Sequence, residues 1–225
     1  MDFGGIGRVA ANTTLAACAG GLVIMFLAYP RSRKWDTGIT VNGFLAGLVA
    51  ITCPCYWVSP FGAICIGAIA AVVCLFGIDL LERLRIDDPI GAVAVHGFCG
   101  IWGTISLGLF ATGQYFLPTP TGADVSTPVE GLFYGGGAKQ LGVQIAGSAI
   151  ITVGVFVVAL AVMYGIKALG ILRVSAEVEL GGIDIHEHGA PAYHPEPAYV
   201  GYSPVPSGRS GIPIGASAPT VSVGD

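Results

Sequence analysis

The sequence has 225 residues, of which 53% are hydrophobic and only 11% charged, and its mean hydropathy is +0.75. A soluble globular chain carries roughly 25% charged residues, so this composition argues against a soluble domain and favours a chain that crosses a membrane. The formal net charge of −4 gives no indication of a nucleic-acid partner.

Five apolar stretches follow one another along the chain, and each is a candidate transmembrane helix because a span needs about 20 mostly apolar residues. They are residues 9–29, 41–53, 60–82, 89–110 and 140–167. Pro54 interrupts the second stretch and leaves it the shortest. The sequence therefore predicts an all-α integral membrane protein with about five transmembrane helices, in a domain that covers residues 1–170.

Capping signals precede three of these stretches. Ser59 before Pro60, and Asp88 before Pro89, each place a capping side chain ahead of a proline at the first helical position. Asp36 is placed to cap the second stretch in the same way. These signals predict where the second, third and fourth helices begin.

Basic residues mark one side of the membrane. They lie in the loops after the first, third and fifth stretches: Arg31, Arg33, Lys34, Arg83, Arg85, Lys167 and Arg173. The positive-inside rule then places the N-terminus outside and the C-terminus in the cytoplasm. We expect a multi-pass protein of the cell membrane.

The end of the chain differs from the apolar part. Residues 171–194 are polar and acidic and are predicted to form a cytoplasmic C-terminal region. Residues 195–225 are rich in Pro, Gly and Ser, cannot bury enough apolar surface to offset their ordering entropy, and are predicted to be disordered. His186 and His188 form a His-x-His pair without further ligands, so we expect no metal site. No cofactor-binding motif or catalytic constellation occurs, and we expect neither a cofactor nor an enzyme.

His96 is the one histidine of the apolar region. It lies seven residues beyond Pro89, which is about 10 Å along a helix that rises 1.5 Å per residue. Gly97, Gly100 and Gly103 provide a smooth strip beside it, where another helix can pack. One interpretation is a histidine that only bonds a neighbouring helix. The other is an imidazole that lines a pore, where a neutral ring offers one donor and one acceptor.

Two further polar residues lie at the ends of the second stretch. Asn42, near its start, either lines a vestibule or caps a turn. Thr52, next to the Cys-Pro-Cys break, offers a hydroxyl to a solute at the external end.

Acidic and basic residues meet at the end of the third stretch. Asp79 and Glu82 lie there, with Arg83 and Arg85 next to them. We expect an interfacial charge network among these neighbours.

Four separated motifs resemble the ammonium transporter (Amt/Mep/Rh) family. Residues 84–97 (LRIDDPIGAVAVHG) strongly resemble its tenth-helix signature, and residues 11–15 (ANTTL) and 42–52 (NGFLAGLVAIT) resemble two earlier segments. The segment 172–193 is similar to the cytoplasmic C-terminal region, through the following residues: Leu172, Arg173, Val174, Ser175, Glu177, Gly182, Asp184, His188, Gly189, Ala192 and Tyr193. The resemblance covers residues 9–193 and implies the last five helices, seven to eleven, of an eleven-helix subunit.

The resemblance implies a function and roles for single residues. His96 matches the second of two pore histidines, and Thr52 a position near the external recruitment site. Asn42 joins them as a candidate transport residue, and Asp88 as a helix cap near the cytoplasmic mouth. In the tail, Arg173, Asp184, His188 and Tyr193 match a regulatory region.

The expected activity is conduction of ammonia through a hydrophobic pore, with a proton relay along histidine. The expected assembly is a homotrimer, once an N-terminal half completes each subunit, with lipid around it and a PII signal protein as a possible partner of the tail. The alternative is a truncated fragment without transport, or an ammonium sensor that binds a PII-type partner through its tail. A first pore histidine and most of a recruitment site do not occur in these residues.

Overall fold

The computed structural model describes residues 3–115, 129–190 and 192, and every named element within them is helical. The bounds are α1 Phe3–Ser32, α2 Thr37–Ile51, α3 Pro60–Arg83, a π-helical turn Val93–Phe98, α4 Cys99–Phe110, a 3₁₀ turn Leu132–Tyr134, α5 Ala138–Ala168, α6 Ala176–Gly181 and α7 Ile183–His188. The chain forms two compact units, one up to Gly165 and one from Ile166 onward. The predicted disordered tail at 195–225 lies outside the described residues.

Four of the described helices are long and apolar enough to cross a membrane. They are Gly5–Ser32, Pro60–Arg83, Val93–Phe110 and Ala138–Ala168. The second predicted span is a shorter apolar helix, because α2 ends at Ile51, before the turns around Pro54. The all-α membrane fold expected from the sequence is confirmed, with four long helices and one short one.

Two predicted caps are present. The Asp36 carboxylate accepts a hydrogen bond from the Ile39 amide at 2.9 Å, and the Ser59 hydroxyl accepts one from the Gly62 amide at 3.1 Å. Each satisfies a backbone donor that has no partner inside its helix. Pro60 is the first residue of α3, where its missing N–H is harmless.

The fourth helical segment begins later than predicted. The sequence placed its start at Pro89, whereas helical structure begins at Ala92 and is π-helical from Val93 to Phe98. Gly91 precedes it with a φ of +72°, a conformation that separates Pro89 from the helix. The predicted ordinary helix over 89–110 is therefore corrected to a turn, a π-helical segment and α4.

Small residues bring α1, α2 and α3 into close contact. A Cβ atom added at Gly47 of α2 would lie only 2.3 Å from the carbonyl oxygen of Ala16 on α1, and one added at Gly67 of α3 only 2.1 Å from the same oxygen. Both glycines therefore permit backbone-to-backbone contact, which is how membrane helices gain packing without a hydrophobic driving force. Ala16 itself is fully buried.

In contrast, α5 buries little of its surface. None of its residues is buried, although the helix is long and strongly apolar. Near its start, Leu141 contacts Gly108 of α4, and Ser148 shares a hydrogen bond with Thr104. The exposed apolar side chains beyond this contact suit a hydrocarbon environment.

Candidate functional site

His96 lies in the π-helical turn and its side chain is exposed. A π-helical turn is rare, and it occurs often at functional sites because the widened turn changes the direction of its side chains. The residues before and after it on the chain, Val95 and Gly97, differ in environment: Val95 is fully buried, whereas Gly97 is exposed. His96 therefore lies at the edge between the packed core and an open face.

The position of His96 along the length of the helices follows from the packing of its helical segment against α2. Asn42 contacts Ile90 near the start of both segments, and Val49 approaches Gly100 further along. The two segments therefore run parallel, with His96 between these two levels. His96 is thus alongside the middle of α2, away from either end of the helix.

The face around His96 is open and built from small or apolar residues. Val93 and Ile101 are 48% and 36% exposed. An added Cβ at Gly97 would meet only the Val93 side chain, at 3.7 Å, and one at Gly100 only the Val49 side chain, at 3.9 Å. An exposed apolar face around one polar ring is expected where another protein segment or a pore lies.

The Asp88 carboxylate fixes the start of the His96 segment. It accepts hydrogen bonds from the amides of Ala92 at 2.8 Å, Val93 at 2.9 Å and Ala94 at 3.4 Å. These amides are the first donors of the helical segment and have no partners within it. A carboxylate at this end also interacts favourably with the helix dipole. Asp88 thereby positions the backbone that carries His96.

Asn42 supports the same turn from α2. Its amide donates to the carbonyl of Ile90 at 3.1 Å, and an added Cβ at Gly91 would lie 2.8 Å from its Nδ2. A groove of about 550 Å³ opens here, and its lining includes the acidic residues Asp36, Glu82 and Asp88. Asn42 thus lies on the lining of this groove and is hydrogen-bonded to the turn that precedes the His96 segment.

Thr52 lies at the opposite end of α2 and is exposed. Ten residues separate it from Asn42, about 15 Å along a helix. Its hydroxyl donates to the backbone carbonyl of Val49. Its proton is thus engaged, and its oxygen lone pairs remain available as acceptors.

The turn that follows Thr52 is anchored from two sides. The side-chain amide of Asn12, which is fully buried in α1, donates to the carbonyls of Cys55 at 2.8 Å and Val58 at 2.9 Å. After α4, Thr112 donates its backbone amide at 3.0 Å and its hydroxyl at 3.2 Å to the carbonyl of Trp57. Sequence reasoning used Asn12 only as part of a motif and missed this anchoring role. A polar residue inside an apolar run was the signal for it.

Arg8 adds a third contact to this turn. It donates to the carbonyl of Tyr56 at 3.3 Å, and its guanidinium carbon lies 3.4 Å from the ring centroid of Tyr115. A cation over an aromatic face is stabilised by the ring quadrupole. The end of the bundle that holds Thr52 is therefore fixed by several independent contacts.

The charge network at the end of α3 differs from the expectation. Asp79 pairs with Arg31 of α1 at 2.7 Å. The predicted partners, Arg83 and Arg85, lie beyond it along the chain, where the helix ends and Arg85 takes a φ of +56°. This ion pair links α1 to α3, whereas the predicted network lay within the end of one helix and the loop after it.

In the second unit, two candidate tail residues form local contacts. Arg173 donates to both carboxylate oxygens of Glu179, at 3.2 and 3.3 Å. Asp184 accepts a hydrogen bond from the Ala192 amide at 2.6 Å, and this bond lowers the pKa of its carboxyl group below the ordinary 3.8. His188 is exposed at the end of α7. Tyr193 lies outside the described residues.

Among the described residues, no three His, Cys, Asp or Glu side chains are grouped so that they could hold a metal ion. His186 and His188 are two positions apart on the short helix α7. Residues at that spacing point to different sides of a helix and do not face each other.

Comparisons with known proteins relate the chain to one family. A family model described as Ammonium Transporter Family matches residues 3–193. Over 185 residues the chain is 43% identical to ammonium transporter Amt2 of Archaeoglobus fulgidus, which covers 82% of this chain and 38% of the relative. Over 192 residues it is 39% identical to ammonium transporter 1 member 1 of Arabidopsis thaliana, which covers 85% of this chain and 38% of the relative.

Solved structures agree with these relatives. A protein titled Sensor Amt Protein superposes with a TM-score of 0.68 at 31% identity, over 82% of this chain and 42% of the other. Mep2 of Saccharomyces cerevisiae superposes with a TM-score of 0.66 at 32% identity, over 76% of this chain and 38% of the other. The chain thus spans about two fifths of the length of the proteins that it matches.

Proposed function

Because the chain belongs to the ammonium transporter family, we propose that it forms the part of an ammonium channel that carries a pore histidine, His96. The observation that carries this proposal is the exposed imidazole at the middle level of α2, on an open face lined by Gly97 and Gly100. The remainder of a family subunit, which these residues do not contain, would cover that face and complete the pore around His96.

The chemistry of the solute agrees with such a site. An ammonium ion is costly to place in a low-dielectric pore, whereas uncharged ammonia is not. Ammonia therefore passes after the ion has lost a proton. A neutral imidazole has one donor and one acceptor, so His96 can bond ammonia and pass a proton along without holding a fixed charge.

Thr52 is proposed to meet the ion at the external end. An ammonium ion has only donors to offer, so its partners must be acceptors. The Thr52 hydroxyl already donates to Val49, and its free lone pairs therefore suit this solute. The anchoring of the following turn by Asn12 keeps the hydroxyl at a fixed place.

The proposal includes the arrangement in the cell. Basic residues after α1, α3 and α5 favour an external N-terminus and a cytoplasmic C-terminus in the cell membrane. Asn42 and Asp88 would then lie near the cytoplasmic mouth. A completed subunit is proposed to assemble as a homotrimer, as the family resemblance implies.

A second function is favoured by one comparison, the similarity to a protein titled Sensor Amt Protein. In this alternative the chain does not transport, and its tail binds a PII-type signal protein in response to ammonium. Arg173, Asp184 and His188 would then act in regulation. The two functions predict different results for the same transport assay.

The test uses a chimaera. Residues 3–193 of this chain replace the matching segment of Amt2 of Archaeoglobus fulgidus, and the product is expressed in a host without ammonium transporters. Growth at low ammonium, and ammonia uptake by liposomes that hold the purified chimaera, report transport. We expect rescue of growth, and loss of it in His96→Ala.

Two variants sharpen the test. Val93→Ala removes an exposed apolar group from the same face and serves as the matched control, which should keep transport. His96→Asn retains a donor and an acceptor but does not titrate, so it should conduct ammonia while losing proton-coupled current. A correctly inserted chimaera that fails to transport, or transport unchanged in His96→Ala, would contradict the proposed pore.

A further inference from the structure

The ends of α1 and α3 are neighbours at one end of the bundle. Arg31, in the last turn of α1, pairs with Asp79 of α3 at 2.7 Å. Arg83 follows Asp79 by four residues, so it lies on the same side of α3, one turn closer to the end of the helix. Arg33 and Lys34 follow α1 directly and are exposed, as Arg83 is. The ion pair therefore brings three further basic residues to one edge of the bundle.

The acidic residues at this end of the bundle lie on a different face of α3. Glu82 lines the groove described above together with Asp36 and Asp88, and it lines a smaller hollow of about 250 Å³ together with Asp87. Ile78, one turn before Glu82, lines both, so both open on the side of α3 that carries these two residues. Within the described part of the chain, no carboxylate pairs with the three basic side chains of the edge.

Arg33 lies where glycine would fit the backbone better. Its φ of +56° is in the left-handed region, which is unfavourable for a residue with a side chain. Its amide donates to the Tyr29 carbonyl at 2.8 Å, a bond that glycine would make equally well. Arg85, after the end of α3, has the same φ. Such outliers point to a role for the side chain beyond ending the helix.

An aromatic cluster lies beside the basic edge. Trp35 stacks on Tyr29 with ring centroids 4.2 Å apart, and it meets Phe26 edge-on at 6.0 Å. Phe26 and Trp35 are 61% and 56% exposed, and Phe26 lies on a helix that is long and apolar enough to cross a membrane. Tryptophan and tyrosine are enriched at the depth of the lipid headgroups. The cluster therefore places the basic edge at headgroup depth.

We propose that this edge binds an anionic phospholipid, with Arg33, Lys34 and Arg83 around the phosphate and with Trp35 and Phe26 against the glycerol backbone and the upper acyl chains. Arginine and lysine are the side chains that bind phosphate. A lipid fits better than a soluble phosphate, because only a lipid offers apolar surface to the exposed rings. The site rests on α1 and α3 crossing the membrane and is independent of the proposed transport function.

The test uses the full chain in detergent micelles, with phosphatidylglycerol or phosphatidylcholine of identical acyl chains added separately. Native mass spectrometry counts the lipid molecules that stay bound and gives a dissociation constant for each lipid. We expect one phosphatidylglycerol to bind about tenfold or more tightly than phosphatidylcholine, because a basic residue near the surface contributes about fivefold to the affinity for anionic lipid. Glycerol 1-phosphate, which has the same phosphate but no acyl chains, should not compete.

Arg33→Gly is the most informative variant, because it relieves the positive φ while it removes the charge. It should keep or raise the apparent melting temperature and weaken phosphatidylglycerol binding about fivefold, and adding Arg83→Gln should bring the loss to about 25-fold. Phosphatidylcholine binding should not change. Lys139→Gln is the matched control, since Lys139 lies at the other end of the bundle, where Leu141 contacts Gly108, and it should bind phosphatidylglycerol like the native chain.

Circular dichroism checks that each variant is folded, and Arg83→Gln alone serves as the test if Arg33→Gly does not fold. Equal affinity for the two lipids, unchanged binding in the variants of the edge, or an equal loss in Lys139→Gln would each overturn the proposal. Competition by glycerol 1-phosphate as strong as that by the lipid would mean a site for soluble phosphate, and it would overturn the assignment to a lipid.

Discussion

The side-chain amide of Asn42 donates a hydrogen bond at 3.1 Å to the backbone carbonyl of Ile90, and it thereby joins the early part of α2 to the turn that precedes the His96 segment. The Asp88 carboxylate holds the other side of this turn through the amides of Ala92 and Val93. Two side chains from separate parts of the sequence thus fix the backbone that leads to His96.

The first prediction concerns that amide. Asn42→Leu removes the hydrogen bond and should lower the free energy of unfolding by about 1 kcal/mol. Asn42→Asp should destabilise more, because a carboxylate would face the Ile90 carbonyl in a groove that already contains Asp88. Apparent melting temperature of the purified chain measures both. Val41→Ala is the control at a neighbouring exposed position, and an equal loss there would argue against a specific role for Asn42.

The parts of this fold that the sequence predicts are those set by local signals. Asp36 and Ser59 cap α2 and α3 because each lies directly before its helix and accepts a hydrogen bond from the amide three residues later. The start of the fourth segment was predicted three residues too early, at Pro89. It depends on a positive φ at Gly91 and on a carboxylate that reaches up to six residues along the chain, and neither is visible in hydropathy.

The candidate site likewise combines features that the sequence predicts with features that it does not. His96 is identifiable from sequence because a lone polar ring in a long apolar run is costly unless it has a function or a partner. Its π-helical setting was not predicted, since no residue pattern marks that geometry. The partners of Asn12 and Asp79 lie more than 40 residues away along the chain, so only the tertiary packing identifies them.

The second prediction concerns the anchor of the turn after α2. Asn12→Leu leaves the carbonyls of Cys55 and Val58 without this donor, and it should destabilise the chain by about 1–3 kcal/mol. Asn12→Asp keeps the shape but has no donor when ionised, and should be worse because the charge would be buried. Hydrogen exchange should rise in residues 52–59 in both variants.

Thr14→Val is the matched control for Asn12. Thr14 is exposed on the same helix, and its hydroxyl donates only to the Ala10 carbonyl one turn earlier. Its loss should leave exchange in the turn unchanged. Equal protection of the turn in the native chain and in Asn12→Leu would show that the anchor is not needed.

The third prediction concerns pH and the tail. The Ala192 amide lowers the pKa of Asp184, so the ionised carboxylate is the form that the folded tail prefers. The stabilisation is complete above the ordinary value of 3.8 and is lost as the pH falls through the lower folded pKa. Hydrogen exchange of the Ala192 amide measures this bond. After correction for the intrinsic dependence of exchange on pH, the amide should be protected at neutral pH and lose that protection in acid.

Asp184→Ala, which removes the acceptor, should show fast exchange of the Ala192 amide at every pH, whereas Glu187→Gln, a change in the same short helix, should keep the native profile. A protection that does not vary with pH, or that is lost in both variants alike, would mean that the Asp184 carboxylate does not hold the segment.

The fourth prediction concerns the backbone contact between α1 and α3 at Ala16 and Gly67. A Cβ atom at Gly67 would lie 2.1 Å from the Ala16 carbonyl oxygen, which is backbone and cannot rotate away, so Gly67→Ala must separate α1 from α3. We expect a loss of roughly 1–3 kcal/mol or more, measured as apparent melting temperature and as yield of folded chain. Gly142→Ala is the control, because that helical glycine has open space around it. The control should gain slightly in stability through the higher helix propensity of alanine. If Gly67→Ala were as stable as Gly142→Ala, helix association in this bundle would not depend on backbone contact at Ala16.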